Sequence, residues 1–388
     1  MVQSICTMAL ARIGKLCRSS VHEPSKGLFS GVLQPGWIEC CTGAKRHLLS
    51  EDVIRLQEFQ NKKLAVSHLV TGVKGNYIEL FNQKLQRNDL ILRDELKLLL
   101  HLCQSADDMV IARDAISRYH AENRNLMFGD FKFGPLFVRL CYEQGMENLA
   151  ADTITDKSMS GFFNDATSFN ITLDMLFTKG YYENCLEVLT TMRTQRVPFN
   201  KDTLMLASGT FYKLNTAESY RMCTAMIEDG QTKGKNIPRH AFCFAVALAL
   251  RQNDIEKAQS LFSQIMSPDC RICQNLKAMI LAMSGEVTDA ISFLSAALTP
   301  KSFSFVKKPE FSQEVVDLLR LRIEGGTHRL KMEQIVKDLE QADQVTQQTL
   351  EGMLCYTPTG RRKPLLMMEE RRNSRRTRRP RVSTLLSE

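Results

Sequence analysis

Two stretches of this 388-residue chain have the residue types and spacing to do chemistry. One is the cysteine pair Cys270-Arg271-Ile272-Cys273; the other is the basic run Arg371, Arg372, Arg375, Arg376, Arg378, Arg379 and Arg381. A CxxC pair is half of a zinc site, because structural zinc needs four ligands and no second pair follows. The chain has 12 cysteines. Those at helix packing positions, Cys141, Cys185, Cys223 and Cys243, read as buried thiols in a reducing compartment. The histidines show no metal-ligand spacing, and His101 and His120 read as ordinary helix residues. There is no phosphate-binding glycine loop, no nucleophile elbow and no aspartate cluster of a two-metal nuclease. The expectation is a non-catalytic protein with no cofactor, no metal and no small-molecule substrate.

Charge narrows the partner class. The chain carries a formal +8, of which residues 361–388 hold +7 and residues 1–50 hold +4, leaving −3 on residues 51–360. The cations that would hold a polyanion are therefore concentrated in the tail. Poor in aromatic and aliphatic side chains, the run 371–381 is expected to be disordered alone. It reads as a contact to phosphate backbone, adding salt-sensitive and sequence-blind affinity, or else as a solvated tail or a basic address. At the other end, Arg12, Lys15 and Arg18 precede the first acid, Glu23, and Ile5, Met8, Ala9, Ile13 and Leu16 gather on one side of a helix. That is the composition of a mitochondrial transit peptide.

The elements that must position any site are helices. In Thr167–Asn200, Phe169, Leu173, Leu176 and Phe177 lie on one helix face, and Lys179-Gly180 ends that helix. Tyr182, Cys185, Leu186, Leu189 and Met192 repeat the spacing before Pro198. Two helices joined so tightly pack antiparallel and leave apolar faces that only further copies can cover. Gly145, Gly180, Asn215, Asn253 and Gly285 mark such turns at intervals of 35, 35, 38 and 32 residues. Glycine and asparagine best tolerate the left-handed cap. Five positions after each stand Ala150, Cys185, Tyr220, Ala258 and Ala290, four of them small. A helix–turn–helix period near 35 predicts an all-α protein, an α-solenoid of stacked antiparallel hairpins, over an irregular bundle. The expected organisation is a transit peptide and linker (1–48), an N-terminal helical cap (49–90), repeats (91–299, best copy 166–200), a C-terminal helical cap (300–356) and a disordered basic tail (357–388). Ser50, followed by Glu51 and Asp52, is expected to cap a first helix running through Val53, Leu56, Phe59 and Leu64. AFCFAVALAL (241–250) is half the length of a membrane span and reads as a buried helix.

The best copy, with S-F-N opening its first helix, K-G in the turn, L-E-V-L-T-T-M in the second helix and V-P-F-N at its end, resembles a pentatricopeptide repeat. Lys201–Pro238 and Arg239–Asp269 resemble it less closely. A tetratricopeptide repeat would want a Trp and a Leu-Gly in its first helix, and the only Trp is Trp37. The resemblance implies a groove that reads single-stranded RNA, one base per repeat. Ten residues before four of the turns stand Asn170, Met205, Cys243 and Asn275. By the family's pattern this is the main base-reading position, which Asn170 and Asn275 fit and Met205 and Cys243 do not. Asn200 would be the second reader. The function implied is an RNA-binding protein of the mitochondrial matrix that assists transcript maturation, with single-stranded mitochondrial RNA and RNA-processing proteins as partners and no membrane insertion. The alternative is a tetratricopeptide-like scaffold for a protein partner, which the −3 charge of residues 51–360 favours.

Overall fold

The computed structural model describes residues 47–69, 74–122, 131–298, 309–323 and 328–357. The transit-peptide residues, most of the loose stretch after Leu298 and the basic run 371–381 lie outside the described residues. What is described is all-α except for one pair of two-residue strands. It forms two compact units, His47–Thr203 and Leu204–Tyr356.

The first unit opens with α1 (Glu51–Ile54), α2 (Leu56–Leu69), α3 (Lys74–Gln86), α4 (Arg93–Leu102) and α5 (Ala106–Glu122). Two hairpins follow, α6 (Gly134–Gln144) with α7 (Glu147–Thr155), and α8 (Ala166–Lys179) with α9 (Tyr182–Thr194). First helix packs on first helix, α6 on α8, and second on second, α7 on α9, the stacking rule of a helical-repeat array. Gly134 allows the closest approach: a Cβ there would stand 2.7 Å from Ser168 Oγ on α8. Phe137, Leu140, Phe169, Leu173 and Leu176 fill the space between these helices and are fully buried.

Two expectations need correction at the start of this unit. Ser50 makes no side-chain cap, and the helix it begins stops after one turn at Arg55, whose φ is +54°. The break lets Glu51 Oε1 accept the backbone N–H of Gln57 at 2.7 Å, which caps α2 instead. The linker assigned to residues 1–48 also ends too late, because Leu48 is fully buried. Its backbone N–H and that of Leu49 donate to Asp174 Oδ1 at 2.7 and 3.0 Å, while His47 Nδ1 lies 2.7 Å from Asp174 Oδ2. A buried carboxylate in the middle of α8 thus holds the incoming chain.

The second unit contains α10 (Lys201–Leu214) from Leu204 onward, α11 (Ala217–Thr232), α12 (Arg239–Arg251), α13 (Ile255–Ser263), α14 (Arg271–Ser284) and α15 (Val287–Leu298). Then come β1 (Phe311–Ser312), α16 (Gln313–Ile323), α17 (Arg329–Gln341), β2 (Val345–Thr346) and α18 (Leu350–Leu354). Helix α12 packs on α14, α14 on α16, and α15 on α17, so the pair expected as a C-terminal cap stacks in the phase of the repeats. Strand β1 pairs in parallel with β2, Phe311 opposite Val345. Residues Ala241–Leu250 of α12 are all buried, and no described helix is long and apolar enough to cross a membrane.

All five turn residues adopt the left-handed conformation, with φ of +67° at Gly145, +88° at Gly180, +48° at Asn215, +58° at Asn253 and +80° at Gly285. The four small residues five positions later are each at most 1 % exposed. Tyr220, too large for that place, is half-buried and donates its hydroxyl to Asp254 Oδ2 at 2.6 Å.

Candidate functional site

The residues proposed to read bases are found in two different settings. Asn170 opens the second turn of α8, whose start is fixed by Asp165: the Asp165 Oδ1 accepts from the backbone N–H of Ser168 at 2.9 Å. The side chain of Asn170 is buried, 1 % exposed. Its Nδ2 donates to Asn200 Oδ1 at 3.1 Å, and its Oδ1 accepts from Thr203 Oγ1 at 2.7 Å. Asn200 is itself a helix cap, its Oδ1 accepting the backbone N–H of Thr203 at 2.9 Å at the start of α10. The two asparagines expected to act together are therefore in direct contact, with Thr203 as a third member.

The two asparagines differ in exposure. Asn200 is exposed; its oxygen is occupied within the network, while its Nδ2 makes no hydrogen bond among the described residues. It therefore presents a hydrogen-bond donor to solvent. Asn170 does not itself reach the surface. It holds the Asn200 amide in one orientation, a correction to its expected role as the direct reader. Beside them Lys201 is exposed, and Asp202 is half-buried with its carboxyl pKa pushed up by burial. Thr203 was missed by sequence reasoning, although a Thr three residues after a capping Asn is a readable local signal.

Asn275 is a different case. It is completely buried. Its Nδ2 donates to the carbonyls of Arg271 and Glu310, both at 2.8 Å, and its Oδ1 accepts from Ser312 N at 2.7 Å. These bonds fasten β1 to α14 and leave the amide nothing with which to recognise a base. The expectation that Asn275 reads RNA is replaced by a structural role. The other two residues at this position, Met205 and Cys243, are also buried.

The CxxC pair is joined by a third thiol. Cys270 Sγ is 3.2 Å from Cys273 Sγ, which is 3.6 Å from Cys243 Sγ. Thiolates sharing a tetrahedral zinc at about 2.3 Å would stand roughly 3.7 Å apart, so the 3.2 Å contact is too close for that geometry. Among the described residues no group of three or more His, Cys, Asp and Glu is arranged to hold a metal ion. Contact with Cys243, together with burial, pushes the Cys273 thiol up to about 12, and it is protonated at neutral pH. Cys141, Cys185 and Cys223 are buried as expected. His120 lies 3.1 Å from the Ser160 carbonyl. The arginines 371, 372, 375, 376, 378, 379 and 381 lie outside the described residues.

No family model matches this sequence. Curated proteins do, almost from end to end. The chain is 50 % identical over 383 residues to the Danio rerio protein named pentatricopeptide repeat-containing protein 2, mitochondrial, covering 98 % of this chain and 100 % of that one. It is 44 % identical over 367 residues to the Xenopus laevis protein of the same name, covering 94 % and 95 %. The Homo sapiens protein of that name matches at 44 % over 364 residues, covering 93 % and 94 %.

Proposed function

The chain belongs to the family of pentatricopeptide repeat-containing protein 2, mitochondrial, and from that premise we propose that it is a non-catalytic, single-stranded RNA-binding protein of the mitochondrial matrix. Its task is to assist the maturation of mitochondrial transcripts by holding an unpaired segment in one conformation, so that a separate nuclease meets or misses a junction. The observation that carries this reading is the near end-to-end identity to relatives whose name says both pentatricopeptide repeat and mitochondrial. The basic N-terminus before Glu23 supports the compartment, and the stacked hairpins support the mode of binding.

Recognition in this account is narrow. Asn200 offers a donor to a pyrimidine, Asn170 and Thr203 hold it, and the arginines of 371–381 add affinity without sequence. No continuous one-base-per-repeat code is claimed, since Met205, Cys243 and Asn275 are all buried. Crosslinking in intact mitochondria followed by sequencing of the attached RNA tests the proposal. Enrichment of a mitochondrial transcript around a defined processing junction is expected. Crosslinks to protein alone would favour the scaffold reading and overturn this one.

A further inference from the structure

Thr178, Lys213 and Arg251 each stand two residues before a left-handed turn, at Gly180, Asn215 and Asn253. All three meet a segment from one end of the described chain. Thr178 Oγ1 lies 3.0 Å from His47 Nδ1 in the first unit. In the second unit Lys213 Nζ donates to Glu351 Oε1 of α18, and Arg251 Nη2 donates to Glu351 Oε2 at 2.9 Å. Each of these positions is eight residues after Asn170, Met205 or Cys243. At 3.6 residues per turn that is within about 80° around the helix, so they share the face expected to read bases.

In the second unit the cover over this face is continuous. His240, three residues before Cys243 and on the same side of α12, has Nε2 2.5 Å from the Leu354 carbonyl. Asn275 of α14 bonds the Glu310 carbonyl and Ser312 N. Ser312 Oγ in turn donates to the Gln348 carbonyl at 2.9 Å, and Glu314 Oε2 accepts from Leu350 N at 3.1 Å. Residues 310–314 and 348–354 thus form one patch across α10, α12 and α14. Leu350, Met353 and Leu354, each at most 2 % exposed, seat α18 in it.

Glu351 stands where a phosphate would. Two successive repeats present a cation at the same phase, and one carboxylate meets both. An RNA strand running along the repeats brings a phosphodiester to each of them. The docked arrangement also carries two costs. The Tyr212 hydroxyl is buried with no hydrogen-bond partner among the described residues. It lies within the fields of Arg251, Glu351, Cys355 and Glu314, beneath α18, and Arg251 Cζ is 3.9 Å from its ring centroid. Arg251 Nη1 reaches only the Tyr212 carbonyl, at 3.3 Å. Burial, meanwhile, pushes the Glu314 carboxyl up; the Leu350 N–H opposes that shift and the charge of Glu351 adds to it.

We infer that α18 is an autoinhibitory strap: it covers the first-helix face of the second unit with Glu351 in the place of a phosphate, and single-stranded RNA binds there by displacing it. The inference rests on the RNA-binding reading. Its test measures binding of labelled single-stranded polyuridylate to the full chain and to Glu351→Gln, Ser312→Ala and Glu256→Gln. Amide hydrogen exchange at residues 350–354 is followed with and without the RNA. Ser312→Ala loosens the strap without touching its charges, so the test survives if one variant fails to fold. Glu256, exposed on α13, controls for the lost negative charge. Glu351→Gln is expected to bind about tenfold more tightly than the parent, within the usual range of coupling between two sites. Ser312→Ala should act in the same direction, Glu256→Gln should match the parent, and RNA should speed exchange at 350–354. RNA bound by the parent, but no more tightly by Glu351→Gln or Ser312→Ala than by Glu256→Gln, overturns the strap and leaves the RNA-binding reading intact. Exchange at 350–354 that bound RNA slows or leaves unchanged also overturns the strap. No binding by any form sinks the RNA-binding reading, and the strap with it.

Discussion

Asn170 donates to Asn200 at 3.1 Å across thirty residues of sequence, so the two amides act as one unit. The buried member is held by Thr203 and Asn200, and the exposed member faces solvent. Asn200→Ala is therefore expected to remove the outward donor, and Asn170→Ala to release its orientation. Both should change which single-stranded sequence is preferred more than they change total affinity. Competition binding against RNAs differing in one pyrimidine reads this directly. An equal loss across all sequences would refute base recognition by the pair.

Asn275 predicts the opposite pattern. Asn275→Ala leaves Ser312 N and two carbonyls without partners in a fully buried place. Unsatisfied buried groups cost roughly 1–3 kcal/mol each where no water reaches them, so a loss of about 3 kcal/mol is expected. Urea denaturation measures it. RNA sequence preference, measured on the same variant below its unfolding range, should be unchanged.

Asp174 holds the chain entering the fold. Replacing it with alanine strands two buried backbone N–H groups and frees His47 from its carboxylate. The expected cost is about 3 kcal/mol, with new protease sensitivity around residues 47–50. A variant that resists proteolysis there as the parent does would show that the carboxylate does not anchor the segment.

A half-buried charge gives a pH dependence. Glu351 pairs with Lys213, and its Oε2 lies 2.9 Å from Arg251 Nη2. Burial alone would push its pKa up, but the two cations outweigh it and the net direction is down from 4.5. A depressed carboxyl contributes stability that is present above about pH 4.5 and lost as pH falls through the lower folded value. Glu351→Gln should cost roughly 2 kcal/mol at neutral pH and flatten the stability profile in that acid window. Parallel profiles for parent and variant would contradict the pairing.

The basic run makes a prediction that needs no geometry. Deleting residues 371–388 removes seven arginines within 371–381. Affinity for RNA should fall, and the slope of log affinity against log salt should flatten, since each phosphate contact contributes about 0.7 to a single-stranded slope. An unchanged slope would assign the tail no contact with RNA.

The regular part of the fold was legible because its signals are local. A glycine or asparagine in a left-handed turn and a small residue five positions on are both decided within one hairpin, and all five turns were found. The break at Arg55 was not legible, because nothing about an arginine marks positive φ. It coincides with the burial of Leu48 and Leu49 and with the bond from Arg139, which is distant in sequence. The same reason explains the asparagines. Spacing places Asn170 and Asn275 on the same helical position, yet one meets Thr203 and Asn200 while the other meets Glu310 and Ser312. Whether an amide faces water or seals a joint depends on partners thirty or more residues away. No periodicity carries that information.

The central claim is that this chain grips unpaired RNA without cutting it. Equilibrium binding of the purified full chain to a single-stranded RNA spanning a mitochondrial processing junction, beside the duplex of the same sequence, tests it most directly. The account predicts tight binding to the single strand, weak binding to the duplex, and intact RNA recovered at the end. Equal affinity for both forms, or no measurable affinity for either, would contradict it.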